Sequence, residues 1–294
     1  MPVLLSFWGK GGVGKTTLSS AVAIKLAEEG YRVYLLSTDF VPSLPDVLGC
    51  DLSGSPRKVC GEVIAEQLTE DVIIELWKQR FGDEVYKVAS SIFPVGPEII
   101  EYVARAPGIV EEFTLYYIWD KFYNMDADFL VWDTMATGGG IRMLRIEKEF
   151  YDHLGEAAKL YLKVKGVIDR VRRGEKEPLE LIESWRQLAD SIFQFLKSKD
   201  HRAILVSRPL PVDFSVARKI YYELREYDFP LRVLMINMIQ RSENNVLSTF
   251  MEGFSDKINL ITVPQAFHPP VGCEALRTLI PNEQWATLLK ILEE

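Results

Sequence analysis

The segment Gly9-Lys10-Gly11-Gly12-Val13-Gly14-Lys15-Thr16 constrains this chain more than any other stretch. It follows the apolar run PVLLSFW, residues 2–8, and precedes TTLSSAVAIKLAEEG, in which Leu18, Val22 and Leu26 recur at helical spacing as far as Gly30. Strand, glycine-rich turn and helix in that order form the context of the pattern G-x-x-x-x-G-K-[ST]. Its glycines let backbone N–H groups curl inward around phosphate oxygens, and the helix start adds the positive end of its dipole. The pattern predicts that Gly11, Gly12, Val13 and Gly14 cradle phosphates through their backbone. Lys15 then reaches the β- and γ-phosphates, Thr16 places its hydroxyl on Mg²⁺, and Thr17 bonds the α-phosphate.

Further apolar runs continue the frame. RVYLLSTD ends at Asp39, ADFLVWDT ends at Asp133, and HRAILVSRP, LRVLMINM and INLITVP follow. Strands alternating with helices predict an α/β fold, a doubly wound, mostly parallel sheet forming one nucleotide-binding domain over residues 1–294. Ligands of such sheets bind at the carboxyl ends of the strands, where Gly9, Asp39, Asp133, Ser207 and Asn237 all fall. A hydrophobic strand ending in Asp133 also meets the description of a Walker B strand. Two stretches carry no sheet signal and read as a helical subdomain, about 60–125 and 147–198. In the first, Ile64, Leu68, Val72 and Leu76 have helical spacing; in the second, Leu181, Trp185, Leu188, Ile192 and Phe195 share a face. DRVRRGEKEPLE, from Asp169, reads as a charged, solvated link.

Composition excludes several classes. A net charge of −8 over 294 residues argues against nucleic acid or an anionic bilayer as a partner. No run reaches the ~20 apolar residues of a membrane span, and the N-terminus lacks a signal-peptide shape, which predicts a cytoplasmic protein. The three cysteines, Cys50, Cys60 and Cys273, form no CxxC pair. They read as inert thiols in a reducing compartment, with no disulfide framework and no zinc.

The second lysine of the loop, Lys10, has no obvious place on its own nucleotide while Lys15 occupies the phosphates. KGGVGKT resembles the deviant Walker A loop of a class of dimeric ATPases. Four further segments, LLSTDFVPSLPDVLG, PGIVEEF, VWDTMATGGGIRML and VPQAFHPPVGCEAL, are similar in order to segments of the arsenite-pump and tail-anchored-protein targeting ATPase family. The resemblance implies hydrolysis of ATP to ADP and phosphate by a homodimer. In that class the lysine at the Lys10 position crosses to the partner's phosphates. Asp39, in switch I, would orient or deprotonate the attacking water, and Asp133, in switch II, would hold Mg²⁺ through water and report the nucleotide state. Asn237 aligns with the adenine-reading asparagine; Met238-Ile239-Gln240 after it departs from the N-K-x-D of GTPases. Pro264 and Phe267 would flank the base. The helical subdomain would form part of an apolar site for a client helix or meet a membrane-bound receptor.

The chain departs from the family pattern at Phe40-Val41-Pro42 and at Ala136-Thr137-Gly138-Gly139, where two histidines are missing, and it lacks the family's zinc-binding CxxC. Other readings of the loop are an arsenite-pump subunit, and a partitioning or positioning ATPase acting on DNA or membrane. The latter is disfavoured by the short, acidic tail NEQWATLLKILEE. A non-hydrolysing scaffold is disfavoured by the intact Lys15, Thr16, Asp39 and Asp133. An iron–sulfur reductase is disfavoured because residues 61–272 have no cysteine to hold a cluster.

Overall fold

The computed structural model describes residues 2–135, 143–146, 149, 152, 177–240, 254 and 258–294. The charged link from Asp169 to Lys176 and the family departure at Ala136–Gly139 lie outside the described residues.

The chain divides into two compact units. The first, Met1–Thr69, Phe122–Ile141 and Leu196–Glu294, is built on an eight-stranded sheet of order β3-β4-β2-β5-β1-β6-β7-β8. Its strands are β1 (Val3–Trp8), β2 (Val33–Ser37), β3 (Arg57–Val59), β4 (Val63–Gln67), β5 (Phe129–Asp133), β6 (His201–Ser207), β7 (Leu231–Ile239) and β8 (Asn259–Pro264). Every pairing is parallel except β3 with β4. The central strands β1, β2, β5 and β6 are near-continuous apolar runs because helices cover both faces. Helices α1 (Lys15–Glu28), α2 (Leu44–Leu48), α7 (Pro211–Glu226), α8 (Gly272–Arg277) and α9 (Asn282–Glu293) belong to this unit. The tail helix α9 buries Trp285, Leu288, Ile291 and Leu292 in the core, so its apolar face is already spent on packing.

Leu196 and His201 close a buried polar chain within the sheet. His201 Nδ1 lies 2.6 Å from the Leu196 carbonyl and so carries the proton, leaving Nε2 to accept from Ser6 Oγ at 2.6 Å. Trp8 Nε1 then donates to the same serine oxygen at 2.6 Å. Full burial of the imidazole pushes its pKa down to about 4, so it is neutral at physiological pH.

The second unit spans Glu70–Lys121 and Arg142–Phe195. Its described long elements are α3 (Glu70–Ile92), α4 (Glu98–Ala104), most of α5 (Ile109–Asn124) and most of α6 (Glu177–Lys197). The amphipathic pattern read on Leu181–Phe195 is met by α6, whose Ile182 is buried against Val88, Ile92 and Leu179. Phe81, Phe113, Tyr116 and Trp119 form a chain of ring contacts at 5.2–6.1 Å, with the Arg80 guanidinium 4.4 Å from the Phe81 ring centre.

Ile64 does not begin a helix. Residues 63–67 are strand β4, paired with β2 in the register Val33↔Val63 through Ser37↔Gln67. The fourfold spacing of Ile64, Leu68, Val72 and Leu76 imitates a helix, but Val63 and Ala65 are buried while Ile64 between them is exposed, which is the alternation of a strand near a sheet edge. The reading of three separate thiols also fails. Cys60, in the turn between β3 and β4, is bonded to Cys273 in the first turn of α8, across a separation of 213 residues, with Cα atoms 5.3 Å apart. Only Cys50 remains a thiol.

Candidate nucleotide site

Every candidate nucleotide-site residue named from the sequence is among the described residues, and most lie at the carboxyl ends of β1, β2, β5 and β7. The loop after β1 ends at Gly14, which enters α1 with φ 93°. A side chain at Gly14 would be strained by that conformation and would also overlap the Asn237 amide. At Gly9 a Cβ would press on the Val206 carbonyl of β6. These two close approaches hold the loop against β6 and β7.

Lys15 is 6% exposed. Burial pushes its pKa down, while the carboxylates of Asp133 and Asp39 push it back up. Asp133 is fully buried at the end of β5. Its Oδ2 accepts from Thr16 Oγ1 at 2.8 Å and from Ser37 Oγ at 2.9 Å. Since the Thr16 proton goes to the carboxylate, Ser43 Oγ, 3.1 Å away, donates to Thr16. Oδ1 of Asp133 is buried with no partner. Burial lifts the Asp133 pKa to about 6 against the pull of Thr16, Lys15 and Ser37. An orphaned carboxylate oxygen beside a threonine hydroxyl is a donor set of hard oxygens, which suits Mg²⁺.

Asp39 is half-buried. Its Oδ1 accepts from the Val41 N–H at 3.2 Å, and its own carbonyl accepts from Gln67 Nε2 at 2.9 Å. Thr17, Asp46, Asn237, Met238, Pro264 and Phe267 are among the residues lining a cleft of about 420 Å³ beside the loop. Phe267 stands 95% exposed at its rim. Asn237 does more than line the cleft: its Nδ2 donates to the Val13 carbonyl at 2.9 Å and its Oδ1 accepts from the Met238 N–H at 2.9 Å. Met238 adopts φ 59°, a costly conformation for a long side chain, held by that last bond.

Lys10 departs from the others. Its side chain, 36% exposed, donates to Asp213 Oδ1 at 2.9 Å on the first turn of α7. Sequence reasoning missed Asp213, Ser37, Ser43 and Met238. Ser37 and Ser43 flank Asp39 in STDFVPS and were open to suspicion; nothing near Asp213 marks it in one dimension.

Residues 3–263 match the profile of the anion-transporting ATPase family. The chain is 27% identical over 294 residues to a protein of Aquifex aeolicus named arsenical pump-driving ATPase 2, covering 92% of this chain and 95% of the relative. It is 24% identical to ATPase get3 of Schizosaccharomyces pombe, covering 92% of this chain and 87% of the relative. An arsenical pump-driving ATPase of Chlorobaculum tepidum is 36% identical over 148 residues, 49% of this chain and 35% of that longer protein. With a glycine-rich loop between β1 and α1, a buried aspartate at the end of β5 and a match over most of its length, the chain belongs to the anion-transporting ATPase family and is an ATP hydrolase.

Proposed function

We propose that the chain works as a Mg²⁺-ATP-dependent homodimer whose nucleotide state controls an apolar client site, as in the targeting of tail-anchored membrane proteins. The observation that carries this reading is the division between the two loop lysines. Lys15 is buried beside Asp133 and Asp39, whereas Lys10 is part-exposed and turned to Asp213. One cation serves the chain's own phosphates; the other is available to a second copy.

In this reading the loop N–H groups and Lys15 bind and orient the triphosphate. The Thr16 hydroxyl and Asp133 would hold Mg²⁺, which when bound would neutralise charge on the phosphates. Asp39 accepts a proton or hydrogen bond from the attacking water, with its carboxyl end steadied by Val41 N–H. Lys10 of the partner subunit stabilises the charge that develops on the γ-phosphate. Asn237 holds the loop, while Pro264 and Phe267 flank the base.

The helical unit supports the client part of the reading. It contains an apolar cavity of about 200 Å³ lined by Trp77, Phe81, Phe113, Tyr116, Trp185 and Leu188 among others, and exposes Phe93 and Tyr102. The similarity to ATPase get3 of S. pombe, over 92% of this chain, is compatible with an ATPase of this kind. Separately, no helix among the described residues is long and apolar enough to cross a membrane.

The test is Lys10→Ala. Turnover is expected to vanish while ATP binding by the single chain stays within about twofold. Wild-type turnover in that variant would remove the intermolecular role. Similarity to the A. aeolicus protein favours a second reading, the ATPase of an arsenical pump. The pairing of Cys60 with Cys273 leaves one thiol for a soft metalloid, which weighs against it. Stimulation of ATPase activity by arsenite, in reductant, would favour it.

A further inference from the structure

Asp213 is the centre of a three-residue charge cluster at the corner between β6 and α7. Its side chain is fully buried. Oδ1 accepts from Lys10 Nζ at 2.9 Å and Oδ2 from Arg208 Nε at 2.6 Å. Burial alone would lift its pKa, but the bonds to Arg208 and Lys10 outweigh burial and hold the carboxyl below its ordinary range. The carboxylate also lies in the first turn of the 16-residue helix α7, where the dipole favours negative charge.

A buried carboxylate with a single cation cannot release it without becoming an unpaired buried charge, which is very costly. Asp213 has two, one on each oxygen. If Lys10 leaves, Arg208 remains, and the charge stays compensated. The same arrangement weakens the hold on Lys10, because Arg208 has already neutralised much of the field the lysine feels. Phosphate oxygens of a triphosphate are anions competing for the same ammonium.

We propose that Asp213, backed by Arg208, is a positioning residue that parks Lys10 on its own chain and sets the threshold at which the lysine passes to the triphosphate of a second copy. The proposal rests on the intermolecular reading of Lys10. Asp213 supplies the competing anion and Arg208 tunes its strength. The two side chains therefore have opposite effects: neutralising Asp213 frees the lysine, and removing Arg208 tightens the hold on it.

The experiment measures ATPase rate against protein concentration at saturating Mg²⁺-ATP for the full chain and for Lys10→Ala, Asp213→Asn, Arg208→Gln and the Lys10→Ala/Asp213→Asn double variant. Asp213→Asn is expected to lower the concentration of half-maximal rate by about tenfold with KM for ATP within about twofold. Arg208→Gln is expected to raise it. The double variant stays silent like Lys10→Ala. A threshold unchanged by Asp213→Asn, with Lys10→Ala inactive, overturns the parking role and leaves the intermolecular lysine standing. Wild-type turnover in Lys10→Ala overturns both. Loss of rate in both Asp213→Asn and Arg208→Gln assigns the cluster to structure alone and overturns the proposal. Arg208 is part-exposed, so if Asp213→Asn fails to fold, the direction of the Arg208→Gln shift decides: a lowered or unchanged threshold overturns it.

Discussion

Asn237 Nδ2 donates to the carbonyl oxygen of Val13 at 2.9 Å, fastening the end of β7 to the phosphate loop across 224 residues of sequence. Its amide oxygen is engaged by the next backbone N–H. The side chain thus shapes the glycine loop that, in the proposed function, binds phosphates whatever base is attached. Asn237→Ala is expected to weaken ATP and GTP alike, each by about tenfold, the loss of roughly one buried hydrogen bond. Titration with both nucleotides checks this. A loss confined to ATP would assign the asparagine to base reading.

Asp39→Asn should retain the bond to Val41 N–H, since an amide oxygen accepts as a carboxylate does. It removes the ability to take a proton. Nucleotide binding is expected to stay within about twofold and turnover to fall by about 10²–10⁴. Single-turnover hydrolysis beside equilibrium binding separates the two, and unaltered hydrolysis would leave Asp39 a turn-capping residue.

Asp133 and His201 oppose each other in acid. The buried Asp133 titrates near pH 6 in the folded chain, well above its ordinary value, so the native state holds more protons below pH 6 and this group costs stability as pH rises through that window. The buried His201 titrates near pH 4, below its ordinary value, so the unfolded state holds more protons and stability is lost as pH falls from about 6.5 towards 4. Each amounts to about 3 kcal/mol at full extent. Asp133→Asn removes the first and leaves the second. Without nucleotide, the variant is expected to be more stable than the parent at pH 7.5, by up to about 3 kcal/mol, with the gain fading towards pH 4.5. Urea unfolding at the two pH values tests this; a gap independent of pH would show that Asp133 titrates normally.

The Cys60–Cys273 bond closes a very long loop and ties the β3–β4 turn to the start of α8, just past the pocket-lining segment Gln265–Val271. Reduction, or either Cys60→Ser or Cys273→Ser, is expected to cost about 2–5 kcal/mol of stability, and the double variant no more than either single one. Thermal melts with and without reductant check it: the parent should lose stability on reduction and the variants should not.

Much of the site was legible in one dimension. The loop Gly9–Thr16, Asp39 and Asp133 announce themselves because each sits at the end of an apolar run, and strand ends are where a parallel sheet gathers its ligands. The edge was harder. β4 reads as helix because Ile64 and Leu68 are four apart, and only its parallel pairing with β2 outweighs that spacing. Met238 carries no sequence signal at all for its left-handed backbone; the Asn237 side chain imposes it.

The sequence by itself determined the local chemistry: a strand, a turn that only glycines can make, a helix start, and the lysine and threonine that follow. Those features depend on backbone geometry within a few residues, so the chain spells them out directly. Only the tertiary structure decided that Lys10 rests on Asp213, that Asn237 bonds Val13, and that Cys60 meets Cys273. These partners stand 203, 224 and 213 residues apart, and their meeting depends on how the strands between them are ordered and registered, which no short stretch of residues encodes.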